Sequence, residues 1–303
     1  MEIVTYGGWP NCVRLSNGSI ELIATTDVGP RVIRFGFVGG PNLLTEFPDH
    51  LGRTGDEAWL PYGGHRFWHA PEVQPRTYWP DNGPVPYSYD GGTLTLRQAV
   101  EGSTGLAKEL AITLDPSADR VALVHRLINR NLWAIEAAPW AVTIMAPGGR
   151  AIVPQEPYRP QPEALLPARP LVLWHYTDMA DPRWTWGTRY VQLRQDPARP
   201  SMQKCGMQNS LGWAAYALDE QVFMKRFALL PDATYPDHGC NTEIFTNGDM
   251  LEVESLGPLA KIEPGGSVLH VEHWALARAT IGVTDDALDA DLLPLIAAGF
   301  TSP

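Results

Sequence analysis

Residues 251–276 read LEVESLGPLAKIEPGGSVLHVEHWAL: a strand, a turn, a short strand, a Pro-Gly-Gly turn and a long strand. Side chains along a strand alternate between faces, so Glu252 and Glu254 point one way and Leu251 and Val253 the other. At a Cα separation of about 6–7 Å, two same-face carboxylates can shift each other's pKa. Such a pair lines a binding cleft, or lies on a solvated strand surface paired with Lys or Arg.

The rest of the chain repeats this pattern. Among 303 residues, 44% are apolar and only 19% charged, with 28 Gly, 28 Pro and 11 Trp. That much Gly and Pro means many turns and few helices. Residues 12–15, 19–25 and 31–38 form three short β runs, the first two joined at Asn17-Gly18, a strong hairpin signal. Residues 40–92 break the pattern with Gly, Pro, His and aromatic residues, a long irregular stretch of the kind that carries function. From Thr93 the runs TLTLRQAV, LAKELAITLD, RVALVHRLIN and AAPWAVTIM describe a meander. A Pro-rich extended connection follows over residues 147–170. LVLWHY, RYVQLRQ, GWAAYAL and VFMKRFAL continue the strands, interrupted by loops at 177–188 and 231–242. Residues 284–298 form the one helix, capped by Thr284 and broken by Pro294. The class is all-β, with fifteen strands or more in a sandwich or large barrel.

A net charge of −11 leaves nothing to attract phosphates over long range, which excludes non-specific nucleic-acid and anionic-membrane binding. Cys12, Cys205 and Cys240 are odd in number and far apart, with neither zinc nor disulfide spacing. No stretch reads as a signal peptide or a membrane span. A soluble, cytoplasmic protein is expected. Oligomeric state is not readable.

In order and spacing these elements resemble the aldose 1-epimerase (galactose mutarotase) superfamily, and more closely a bacterial branch of mutarotase-like proteins. DVGPRVIRFGF resembles the Gly-rich strand near their N-terminus, and GGHRFW stands where they carry a His-Gly-Gly stretch. VALVHRLINRN resembles their strand ending in Asn. LEVES and EPGGSVLHVEHWAL resemble their Leu-Glu-x-Gln strand and the closing strand after a Pro-Gly turn. The resemblance covers nearly the whole chain. It implies one domain over residues 1–303, a large antiparallel β-sandwich (the supersandwich) whose concave face holds a sugar or oligosaccharide.

It also implies a chemistry. Glu252 falls on the general base, which takes the proton of the anomeric hydroxyl while a histidine protonates the ring oxygen. The ring opens and closes on its other face. Where the family carries Asn-His-x-Tyr-Phe, this chain reads AAPWAVTIM, with Trp140 and no histidine. His175 or His238 is then the expected acid, with His65 a further substitute. Glu254 stands where the family has Gln and is expected as a substrate contact.

The remaining candidates come from local clusters. His65, Arg66, His69 and Glu72 lie within eight positions and read as a sugar-contacting loop, Arg66 and Arg31 donating paired hydrogen bonds. Histidines four apart share a face on helix or strand alike, so a metal at His65 and His69 stays open; no cofactor or metal is otherwise expected. His175, with Asp178, Asp181, Trp184 and Trp186, has the mixture of aromatic faces and polar groups that sugars require. Tyr235, Asp237, His238 and Glu243 make a fourth group around a turn, and Trp140 joins the expected substrate contacts. Lys204 and Lys225 are weaker candidates for an anionic group. Two alternatives stay open: a non-catalytic sugar-binding protein that keeps the cleft and lacks the acid, and a glycoside hydrolase or polysaccharide lyase.

Overall fold

Short runs rich in Val, Ile, Leu and aromatic residues, punctuated by Gly, Pro and Asn, fold as 21 strands in two antiparallel sheets. The computed structural model describes residues 1–300. The eleven-stranded sheet runs, edge to edge, through Glu2–Tyr6, Trp9–Ser16, Ile20–Thr25, Arg31–Phe37, His65–Ala70, Ile135–Met145, Leu251–Leu256, Thr242–Thr246, Gln203–Met207 and Leu171–Leu173. Ala260–Ile262 pairs beside this path with the far end of Ile135–Met145. The ten-stranded sheet runs through Trp184–Trp186, Tyr190–Arg194, Arg150–Pro154, Trp213–Leu218, Gln221–Phe227, Ser267–Arg278, Arg120–Asn129, Leu106–Leu114, Thr93–Arg97 and Tyr87–Asp90.

The main apolar core lies between the sheets. Phe35 from the first sheet meets Phe223 and Trp274 from the second, with ring centroids 6.1 and 5.4 Å away. Val253 and Leu251 join this core, as their face of the strand requires. A second apolar cluster covers the outer face of the ten-stranded sheet, where Leu288, Leu292 and Ile296 pack on Ala215, Val222 and Met224. Leu288 and Ile296 come from two C-terminal helices, Asp285–Asp291 and Leu293–Gly299, and Leu292 from the junction between them. Thr284 caps the first through its side chain, and Pro294 opens the second, so the expected break falls where proline tolerates it.

The Asn17-Gly18 hairpin is present, with Val13–Ser16 paired to Glu21–Ala24. Glu2–Tyr6 is a further edge strand that its mostly exposed side chains conceal. Two sequence expectations need correction. Residues 150–154, read as part of a Pro-rich connection, pair on both sides inside the ten-stranded sheet. Residues 65–70, read as loop, form a central strand between Arg31–Phe37 and Ile135–Met145.

Candidate active site

The strand over residues 65–70 separates the loop candidates onto two faces. Arg66 and Trp68 point out of the sandwich, while His65, Phe67 and His69 point between the sheets. His65 and His69 are therefore no part of a cleft with Glu252, as the loop reading had placed them.

On the outer face, strand register builds a row. Arg66 pairs with Val142, Val142 with Glu254, Glu254 with Glu243 and Glu243 with Gly206. Directly paired residues of antiparallel strands share a face, so Arg66, Glu254 and Glu243 lie side by side. Glu252 and Lys204 flank this row, each paired with Phe245. Three ion pairs result. Arg66 Nη2 donates to Glu252 Oε1 at 3.0 Å. The Lys204 ammonium lies 2.7 Å from Glu243 Oε2 and 3.2 Å from Glu254 Oε2, and Trp140 Nε1 donates to Glu254 Oε2 at 2.8 Å.

Aromatic rings wall this cluster. The Arg66 guanidinium stacks 4.2 Å from the Trp68 centroid and 5.3 Å from that of Trp59. Lys204 sits between Trp140 and Trp174, 4.9 and 4.8 Å from their centroids. Trp68 also touches Trp140 and Tyr78, whose hydroxyl bonds Glu72. Glu72 is thus on the rim rather than beside the histidines.

Burial inside these walls sets the protonation states. It pushes Glu243 up to about 8, with the Glu254 charge adding to the rise and Lys204 opposing it. Burial also raises Glu254, with Glu252 adding and Lys204 opposing. Lys204 is held well above its ordinary range: burial pulls it down, but Glu243 and Glu254 outweigh the loss of water. Several polar atoms stay buried without a hydrogen-bond partner among the described residues: Arg66 Nε and Nη1, Glu243 Oε1 and Glu254 Oε1. Unsatisfied buried groups cost about 1–3 kcal/mol each, and here donors and acceptors are concentrated on one sheet face.

Trp174 links the cluster to a cavity of about 470 Å³, lined also by Pro71, Val172, Leu173, His175, Tyr235, Pro236, Asp237, His238 and Leu259. The fold therefore brings the two candidate acids, His175 and His238, to one cavity, both on its exposed side. The helical turn Pro236–Gly239 presents Asp237 and His238 in left-handed backbone, at φ of 49° and 60°. Such conformations cost of order 1–3 kcal/mol and collect at functional sites.

Other candidates serve structure. Arg31 is fully buried: Nη1 donates to the Pro61 and Gly63 carbonyls and Nη2 to Asp81, so it ties down the 61–81 loops instead of orienting a substrate. Asp181 holds Arg183, and Trp184 packs in the inter-sheet core. Lys225, fully buried between the sheets, donates to Glu272 at 2.7 Å and to Thr143 at 2.9 Å.

That pair belongs to a polar system inside the sandwich. Ser255 donates to Glu272 at 2.6 Å, Trp274 Nε1 does so at 2.8 Å, and Ser255 also meets His270 Nε2. Burial keeps His65, His125 and His270 below their ordinary range, so their rings are neutral. Tautomers then follow from the partners. His125 Nδ1 faces the His270 carbonyl and must donate, so His125 Nε2 accepts from His65 Nε2 at 2.8 Å. His65 Nδ1 in turn accepts from the Thr143 hydroxyl. His65, His125 and Glu272 bring one ligand atom each within 4.8 Å of one another, the one such group among the described residues. Both histidines and both Glu272 oxygens take part in these hydrogen bonds, and a cation there would compete with Lys225 for the Glu272 carboxylate. His69, also buried, faces no partner among the described residues, and burial beside Lys108 and Arg76 holds it down to about 3.

No protein-family model and no curated protein matches the chain by sequence. Solved structures match it by shape. A protein from Synechocystis sp. PCC 6803 superposes with a TM-score of 0.60 at 12% identity, over 92% of this chain and 100% of its own. A galactose mutarotase-like protein from Lactobacillus casei gives 0.58 at 10% identity, over 88% and 100%. The fold is galactose mutarotase-like. A candidate aldose 1-epimerase from Klebsiella pneumoniae agrees, at a TM-score of 0.60 and 10% identity over 99% of this chain and 87% of its own. At these identities the likeness extends to architecture.

Sequence reasoning underrated Lys204 and missed His125, His270 and Glu272. A signal for the last two was present: in the long strand, His270, Glu272 and Trp274 alternate and share one face. Lys204 sits in QKCGM, which lacks the apolar alternation that would have marked its outward face.

Proposed function

We propose that this protein binds a sugar or sugar derivative at the outer face of its eleven-stranded sheet and interconverts its anomers by acid–base chemistry, as a mutarotase-type isomerase. The observation that carries this reading is the cluster of Arg66, Glu252, Glu254, Glu243 and Lys204, walled by Trp59, Trp68, Trp140 and Trp174. Aromatic faces suit the apolar C–H faces of a pyranose, and unpartnered donors beside unpartnered acceptors suit its hydroxyls. The adjoining cavity, about 470 Å³, is of a size for one sugar unit. Glu252 is the base. It takes the anomeric hydroxyl proton as the C1=O bond forms and the ring C–O bond breaks, and an acid delivers a proton to the ring oxygen. Closure on the opposite face runs the same transfers backwards.

Glu252→Gln keeps the side-chain shape and removes the base. General-base catalysis contributes about 10²–10⁴-fold, so the variant is expected to lose anomer exchange of D-glucose and D-galactose, followed by polarimetry, by at least 100-fold. An unchanged rate removes Glu252 from the mechanism. One observation favours the second reading, a binding protein without turnover: the strand Ile135–Met145 carries Trp140 and no histidine where mutarotases place their acid. That reading predicts saturable sugar binding by calorimetry while the wild-type protein leaves the anomeric ratio unchanged.

A further inference from the structure

The three carboxyls of the outer face outnumber its two cations, and the group left over is the one placed to hold a proton. Arg66 is spent on Glu252, and the single ammonium of Lys204 is shared between Glu243 and Glu254. Paired directly across adjacent strands and fully buried, two carboxylates cannot both stay charged against one cation. Trp140 donates to Glu254, stabilising the charge there, whereas no indole reaches Glu243. Oε1 of both carboxyls is buried with no hydrogen-bond partner among the described residues, so it is the indole on Glu254 that separates the two and leaves Glu243 as the group holding the O–H.

We propose that Glu243 is the proton donor of this site, in place of the histidine absent from Ile135–Met145, two strands away in the same sheet. This rests on the sugar reading above and names the acid it leaves open. The step balances: the Glu243 O–H bond breaks as an O–H bond forms on the ring oxygen and the C1–O bond opens. Glu252 meanwhile gains the anomeric proton. Ring closure returns both protons. Every element packed around Glu243 contributes a group that acts on its proton. Lys204 favours loss, while Glu254 and Asp237 favour retention, Glu252 acts on Lys204 and Glu254, and Cys205, Cys240 and Tyr176 are held in their neutral forms nearby. The resulting acid, at about 8, is protonated at neutral pH. His175 and His238 lie beyond Trp174, on the exposed side of the cavity.

The test is the pH profile of kcat/KM for anomer exchange of D-glucose and D-galactose, in wild type, Glu243→Gln and the double variant His175→Ala/His238→Ala. Wild-type activity is expected to fall as pH rises through about 8. In Glu243→Gln that limb should vanish with a loss of about 100-fold or more, while the double histidine variant should keep it. If Glu243→Gln retains activity and the histidine variant loses it, this assignment is overturned and the sugar reading stands. If the wild type turns over neither sugar, both fall. Should Glu243→Gln not fold, infrared titration of the wild type decides: a protonated-carboxyl C=O band lost with a midpoint near 8 supports the assignment, and its absence at pH 7 overturns it.

Discussion

Lys225 ties the polar system between the sheets together through Thr143, the Val253 carbonyl and Glu272. It is fully buried, as is its partner Glu272, and neither reaches water. Removing one member of a buried pair strands the other charge, at a cost of about 3–5 kcal/mol. Lys225→Met should destabilise the protein by that amount in urea unfolding. A loss below about 1 kcal/mol, the value of an exposed pair, would mean that the hydrogen bonds donated by Ser255 and Trp274 are enough to hold the Glu272 charge without its lysine. The same arithmetic does not apply to Arg66 and Glu252, which lie at the edge of the aromatic wall with two guanidinium nitrogens still unpartnered.

Among the elements, the strand His65–Ala70 shows what sequence can and cannot disclose. Its two faces carry opposite systems, Arg66 with Glu252 outside and His65 with His125 inside. With polar side chains buried on both faces, the period-2 apolar signal is erased, and HRFWHA reads as loop. The acidic strand Leu251–Leu256 was legible because only one face is polar toward the site, so Leu251 and Val253 kept the alternation visible. The Gly63-Gly64 pair before residue 65 also has a plain reason. Both glycines have positive φ, and a Cβ on Gly64 would come within 2.1 Å of the Val32 carbonyl oxygen. Gly64→Ala should therefore cost about 1–3 kcal/mol and weaken sugar binding as well, since it displaces the strand that carries Arg66. Calorimetry and thermal unfolding on one sample check both. A variant with wild-type stability and binding would mean that the crossing tolerates a side chain.

For the molecule as a whole, the architecture was readable from the density of short strands and turns, while the strand order within each sheet was not, because it brings together residues as distant in sequence as Arg66 and Glu252. Its buried ionisable groups nevertheless predict a stability profile. Burial holds His65, His69, His125 and His270 below the ordinary 6.5, the second and last at about 3. The unfolded chain binds protons below 6.5 that the native state refuses, so stability is lost as pH falls from 6.5 toward 3. Glu272, held below its ordinary 4.5, acts in the same direction under pH 4.5. Glu243 and Glu254 act oppositely: their raised values make the native state keep protons that the unfolded chain releases, so stability falls as pH rises from 4.5, for Glu243 through about 8. Four histidines outweigh Glu243 until the unfolded histidines are mostly deprotonated, at about pH 7. Urea midpoints measured across pH 4–9 should peak at about pH 7, and a steady rise to pH 9 would show that Glu243 is charged in the folded protein.

The account's central claim is the location of the sugar, and a structure of the protein with D-galactose or D-glucose bound tests it directly. The sugar is expected on the outer face of the eleven-stranded sheet, against Trp140 or Trp174, with its anomeric oxygen within about 2.6–3.2 Å of Glu252. A sugar bound instead on the far sheet, or in the cavity with no contact to Glu252, Glu254 or Glu243, would contradict it.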